Sequence, residues 1–490
     1  MSNRNETPTL LLSLLVTVIL LGGLGIWGWQ FLQRSLGTGN TETATNPSSQ
    51  ATSEPNSSPE NAANIDQRTA ANQTTSRLST GAQGLITDNV STLKQLGIEA
   101  IAAGNPEQAV TLLEAAIREN RNDPEALVYL NNAQIGAAES YTIAVAAPIE
   151  SALNPALEIL RGVAHAQTEI NEAGGINGVQ LRVMIADDGA TAETATQLAQ
   201  QLVKTEEVLA VVGHFSSSTT LATAPTYSEG ELLLISPTST SVQISGVSDY
   251  VFRTAPSDRF AATALARYML EDLQKQTVGI FFNSESSYST SLKDEFTTAV
   301  FSDGGQVLAE FDLLAAGFDA EQALRQLADQ DAEVIMLAAN TATLDAALTV
   351  VSANDGELAL LGGDSLYNPQ VLDEGGSAAV NLAVAIPWHL LAHPDSAFVQ
   401  ASQQLWGGDV NWRTVTAYDA VQAIAAALAT LSSVERQSLQ QALSTANFQA
   451  QGATSDVRFL PSGDRNQATQ LVIVQPGNRS GYGHDFVPAE

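Results

Sequence analysis

The chain has 490 residues, with 53 Asp or Glu against 21 Lys or Arg, a formal net charge of -32 and no cysteine. That balance excludes nucleic acid as an expected partner, because phosphate binding draws its affinity from Lys and Arg. Without cysteine there is no disulfide, thiolate metal site, thiol nucleophile or cysteine-linked lipid anchor.

The length calls for more than one domain, and the composition shifts along the chain. Residues 7–33 carry no charge and are mostly Leu, Val, Ile, Gly and Trp. As a helix they are long enough to cross a hydrocarbon core of roughly 30 Å, so a transmembrane anchor is expected. A cleavable signal peptide competes, but its apolar stretch would be shorter, and no small-x-small site follows Trp27-Gly28-Trp29-Gln30-Phe31 promptly. Arg4 and Arg34 flank the segment too evenly to set its orientation. Residues 35–84 are rich in Ser, Thr, Asn, Gln, Ala and Pro. They bury too little to offset ordering and are read as a disordered linker. Anchor plus tether implies a module held outside the cytoplasm, on the periplasmic side of the inner (cytoplasmic) membrane.

Helical periodicity takes over at 91–135. Leu93, Leu96, Ala100 and Ile101 recur on one face, Gly104-Asn105-Pro106 breaks the run, and Ala109, Leu112, Leu113, Ala116 and Ile117 recur again. Asn122-Asp123-Pro124 then opens a third helical stretch through Leu130. The pattern resembles one tetratricopeptide repeat with its trailing helix, with Arg121 where that family often has proline; a plain helical hairpin fits the spacing as well. Such repeats stack in groups, so a single one should lean on another surface.

From 141 to the end strands and helices alternate. Strands are expected at 141–147, 179–186, 208–212, 232–235, 277–283, 307–312, 334–339 and 358–361. Helices are expected at 155–173, 191–204, 289–301, 320–329 and 343–352. This is α/β twice over, more than one sheet holds, and the segment Tyr250 to Ala255 is a place to cross between lobes. Lobe 1 is expected at about 141–254 and 388–452, and lobe 2 at about 257–385 with the C-terminal segment. Two polar segments, Gly213-His214-Phe215-Ser216-Ser217-Ser218-Thr219 and Ser236-Pro237-Thr238-Ser239-Thr240, each follow an apolar run. In parallel sheets ligands bind beyond the carboxyl ends of strands, and hydroxyls and free amides there suit a small polar or anionic group. Capping of the next helix is the plainer use of the same serines.

Six motifs in register carry a family likeness. Asn171-Glu172-Ala173-Gly174-Gly175-Ile176-Asn177-Gly178, Asp187-Asp188, the first serine segment, Ile235-Ser236-Pro237, Phe252-Arg253-Thr254-Ala255 and Tyr418-Asp419-Ala420-Val421 resemble the type I periplasmic binding proteins, in particular the leucine/isoleucine/valine-binding family, over 141–477. The resemblance implies a two-lobed clamp that closes on an amino acid or related small polar solute and delivers it to the membrane subunits of an ABC transporter. It places Ser217, Ser239 and Thr240 on a ligand carboxylate, Tyr288 as a second-lobe aromatic contact, and Asp364 on an ammonium. Packing for Tyr288, and a turn for Asp364 after Gly362-Gly363, are the structural alternatives. Where relatives often place aromatic groups around the side chain this chain has Pro155 and Asn340, implying a more polar or roomier pocket. Where relatives often have a disulfide it has Ala190 and Ser216.

Enzyme chemistry is not expected. The histidines His165, His214, His389, His393 and His484 have neither the adjacent acids of a metalloprotease helix nor a cysteine partner, Pro394 directly after His393 argues against a helix face shared by His389 and His393, and there is no phosphate loop or nucleophile elbow. His214 is expected to be structural, and Asp187-Asp188 reads as loop capping. No cofactor or metal is called for. Two rivals share the clamp: a membrane-anchored sensor reporting through the helical segment, and a scaffold that no longer binds ligand.

Overall fold

The computed structural model describes residues 77–189 and 191–489. The expected membrane helix at 7–33 and most of the linker lie outside the described residues. No helix among the described residues is long and apolar enough to cross a membrane.

The described chain opens with a two-residue strand, β1 (Leu78–Ser79), followed by helices α1 (Thr92–Ala102), α2 (Pro106–Glu119) and α3 (Pro124–Ile135). β1 corrects the reading of 35–84 as linker to its end, since Leu78 and Ser79 pair with Ala186 and Ile185 at a sheet edge. Each helix begins where local chemistry asks for it. The Ser91 side chain accepts from the Lys94 N–H, that of Asp123 from the Ala126 N–H, and Pro106 and Pro124 occupy first-turn positions where a missing N–H costs nothing. The buried Lys94 ammonium lies 2.8 Å from both Asp123 and Glu125, tying α1 to α3.

Lobe 1 continues with β2 (Ser140–Ala147), α4 (Leu153–Glu172), β3 (Gln180–Asp187), α5 (Ala192–Lys204), β4 (Val208–Val212), α6 (Ser217–Glu229), β5 (Leu233–Ser236) and β6 (Val251–Arg253). The sheet order is β1-β3-β2-β4-β5-β6, parallel except for β1. Lobe 2 adds α7 (Asp258–Arg267), β7 (Thr277–Phe282), α8 (Ser287–Ser302), β8 (Gln306–Asp312), α9 (Ala320–Ala328), β9 (Val334–Ala338), α10 (Leu344–Asn354), β10 (Ala359–Gly362), α11 (Pro369–Asp373) and β11 (Ala383–Ile386). The chain returns to lobe 1 with α12 (Ala397–Trp406), α13 (Trp412–Ala429), α14 (Arg436–Leu443) and the hairpin β12 (Ala450–Gln451) and β13 (Asp456–Val457). A third crossing leads to β14 (Gln470–Pro476) and β15 (His484–Pro488), completing the order β15-β14-β11-β10-β9-β7-β8. In both sheets the second connection doubles back past the first strand, so a crevice opens at the carboxyl ends of β2 and β7.

The helical segment leans on lobe 1. Asn132 of α3 is buried; its amide donates to the Val183 carbonyl (2.7 Å) and its oxygen accepts the Val183 N–H (3.1 Å), so one side chain stands in for a neighbouring strand on β3.

The crossings are stitched together by Arg253, whose side chain is fully buried. Its Nε donates to Asp464 at 2.6 Å, and its backbone pairs with Gly463 and Arg465 on the third crossing. Arg465 in turn forms a buried ion pair with Asp419 of α13. Removing one partner of such a pair strands a charge in low dielectric. Asp464→Ala is therefore expected to destabilise the chain by about 3–5 kcal/mol, measured by urea unfolding.

Candidate functional site

β4 delivers the first serine loop. Gly213 has φ +151, and a Cβ there would sit 2.5 Å from the Ala146 carbonyl, so only glycine fits. His214 is buried, with Nδ1 2.8 Å from Asp188 and Nε2 3.0 Å from the Tyr227 hydroxyl. Its carbonyl accepts from Ser236 (2.9 Å) and Ser239 (3.3 Å), clasping the second serine loop. Asp187 accepts the N–H groups of Glu150 and Gly189 and pairs with Arg77, as a loop cap does. Capping of α6 falls to Ser216, which accepts the Thr219 N–H at 3.1 Å.

The three lobe 1 candidates are all buried and gathered here. The Ser217 hydroxyl accepts the Ser241 N–H (3.2 Å), and Ser239 bonds Thr220 (2.8 Å), so both join loop to loop. The Thr240 hydroxyl has no hydrogen-bond partner. Lobe 2 brings Tyr288, on the first turn of α8, and Asp364, just beyond β10. A Cβ on Gly363 would lie 2.2 Å from the Tyr288 hydroxyl, so that glycine allows the ring to reach the Asp364 loop. The lobes meet across the site: the Ser218 and Ser287 hydroxyls are 3.2 Å apart, and the Val242 N–H donates to Ser291 at 3.0 Å.

Two charged residues that sequence reasoning missed complete the cluster. Asp258 opens α7, and its N–H donates to the Thr240 carbonyl at 2.8 Å. Both of its carboxylate oxygens are buried without a hydrogen bond of ordinary geometry, although the Ser291 and Thr240 hydroxyls lie close enough to temper its acidity. Burial pushes its pKa up to about 6. Burial likewise pushes Asp364 up to about 7, with Arg413 opposing and Asp258 reinforcing the shift. Tyr288 is held well above its ordinary range by burial and by these two acids. Arg413 of α13 reaches across to the carbonyls of Asp364 and Tyr367, each at 3.3 Å, while its Nε is unpaired. An acid opening a helix has a ready explanation in the helix dipole, which hides Asp258. Arg413 was more visible, being with Asp419 one of only two charged residues in α13.

The arrangement sets neutral hydroxyls and amides of lobe 1 against two incompletely neutralised acids at the lobe boundary. It can hold a small molecule carrying both a carboxylate and a cation.

This is the architecture of a two-lobed solute-binding clamp. The model of the Periplasmic binding protein family matches residues 140–481, and the chain belongs to that family. It is 24% identical over 332 residues to the leucine-, isoleucine-, valine-, threonine- and alanine-binding protein of Pseudomonas aeruginosa, covering 67% of this chain and 88% of that one. A second relative in the same organism, an amino acid binding protein, is 33% identical over 136 residues, which is 27% of this chain and only 36% of the relative. Among solved structures, an ABC transporter substrate-binding protein from Desulfitobacterium hafniense in complex with Leu superposes with a TM-score of 0.62 at 25% identity, covering 71% of this chain and all of that one.

The acids oppose folding when nothing neutralises them. Between the ordinary value of 3.8 and about 7 the folded chain keeps a proton on Asp364 that the unfolded chain releases, so this group's contribution to stability falls as pH rises through that window. Asp364→Asn is expected to leave the ligand-free chain little changed at pH 4 and more stable than wild type at pH 8, by up to about 4 kcal/mol. Urea unfolding at both pH values measures the difference.

Proposed function

We propose that this chain is an extracytoplasmic solute-binding protein that captures an amino acid or related small polar solute by hinge closure and passes it to an ABC transporter. The observation that carries this reading is the pair of buried acids at the lobe boundary, Asp258 beside the end of the second serine loop and Asp364 on the lobe 2 side. An α-ammonium between those acids and an α-carboxylate on the loops match the two sides. Contacts from both lobes stabilise the closed form, which is what couples capture to shape. Ser217, Ser239, Thr240, Tyr288 and Asp364 form the proposed contact set, joined by Asp258. The relatives, named as a leucine-, isoleucine-, valine-, threonine- and alanine-binding protein and as a substrate-binding protein in complex with Leu, favour this solute class. Pro155 and Asn340 favour a polar side chain over a strictly branched one.

The apolar stretch 7–33 and the linker would anchor the clamp to the inner membrane with reach into the periplasm. A sensor built on the same clamp is favoured by one feature, the bonding of the helical segment to β3 through Asn132, which would transmit lobe 1's position to a partner.

Thermal unfolding of the full chain in the presence of each of the twenty amino acids, urea and short amides tests the reading, because a ligand of the folded state raises the midpoint. At least one amino acid is expected to raise it by several degrees. Asp364→Ala and Ser217→Ala should each weaken that ligand about tenfold or more without unfolding the chain. A flat panel with folded protein would overturn the proposal, and unchanged affinity in both variants would overturn the site.

A further inference from the structure

Just past the Asp364–Leu366 turn lies a separate cavity of about 220 Å³ between the lobes. Lobe 1 contributes Glu158 and Val410, lobe 2 contributes Tyr367, Leu372 and Phe486, and His389 lines it from the second crossing. Its walls are largely apolar, with the Tyr367 ring 4.5 Å from that of Phe486 and 5.8 Å from that of His389.

Two residues lining this space, His389 and Tyr367, carry polar atoms that make no hydrogen bond among the described residues and stay open to water. His389 is 2% exposed, and its Nδ1 accepts the Leu391 N–H at 3.3 Å. Burial lowers its pKa to about 4, so at neutral pH the ring is uncharged and its proton sits on Nε2. Among the described residues, that N–H has no acceptor. The Tyr367 hydroxyl has no hydrogen-bond partner there either, and burial raises its pKa, keeping it a donor.

The charges around the rim, by contrast, are satisfied. Arg479 grips Asp409 through two bonds of 2.5 and 2.9 Å, Asp485 accepts the Arg479 and Ser480 N–H groups, and Glu158 pairs with Arg161 at 2.7 Å. A cation would meet the donor-only His389 Nε2–H and find its acids already paired at the rim, and a carboxylate would meet a rim where acids outnumber the one arginine lining it. An uncharged acceptor suffers neither penalty.

We propose that this cavity is a second ligand site, taking a small apolar molecule with an uncharged carbonyl or amide oxygen that accepts from His389 Nε2 and the Tyr367 hydroxyl. Because its walls come from both lobes, an occupant stabilises the closed arrangement and, by linkage, tightens binding at the serine loops. That coupling rests on the hinge-closure reading above; the site itself does not.

Calorimetric titration of the full chain with phenylacetamide, phenylacetate and phenethylamine tests it. Phenylacetamide should bind saturably and at least tenfold more tightly than the acid or the amine. Tyr367→Phe and His389→Phe should each weaken it about fivefold, the value of one net hydrogen bond, while Ser217→Ala leaves it unchanged. No saturable binding, equal binding in both donor variants, or loss in Ser217→Ala would overturn the proposal. The amino-acid response of the same samples reports on the serine loops separately, so either site can fail without the other.

Discussion

The buried guanidinium of Arg253 is the constraint on which the rest depends. It ends β6, where the chain leaves lobe 1, and its Nη1 donates to the Ser241 carbonyl at 2.8 Å while its Nε holds Asp464 on the last crossing. One side chain thus fixes the second serine loop to the hinge. Ser241 in turn gives its N–H to Ser217, and Ser239 bonds His214, so the two ligand loops and the hinge form one hydrogen-bonded body. Motion between the lobes can then leave the lobe 1 half of the site intact, which a clamp requires.

The second theme is a conflict between stability and function. Asp258 and Asp364 are removed from water without full neutralisation, an arrangement that folding alone would not favour. Arg413 reaches only the backbone of the Asp364 turn and makes no ion pair within 4 Å there, so it moderates the acids without cancelling them. Such a site gains most from a ligand that brings its own positive charge, and least from one that does not. Strain of this kind concentrates where a protein does its work.

Much of the fold was legible because a parallel sheet covered on both faces writes itself as short apolar runs. Val208–Val212 was read to the residue, and the other expected strands and helices from 141 to 361 are present with ends shifted by one or two positions. β1 was not legible, since two residues carry no periodicity and their partner lies about 100 residues away in sequence. The site was legible as loops rather than as atoms. Ser217, Ser218 and Thr219 do open α6, with Ser216 as its cap, but whether a hydroxyl is free or already spoken for depends on distant partners such as Ser241 and Thr220. Asp258 and Arg413 gain their meaning only when the lobes bring them beside Asp364.

A ligand ammonium that takes over the charge balance of Asp258 and Asp364 must displace the protons these acids hold. Calorimetric titration of the most stabilising amino acid at pH 6.5, in two buffers of different ionisation enthalpy, measures the protons exchanged on binding. Release approaching one proton per ligand is expected, on the order of what acids with pKa values of about 6 and 7 hold at that pH. Binding with no proton exchange, or with uptake, would contradict it.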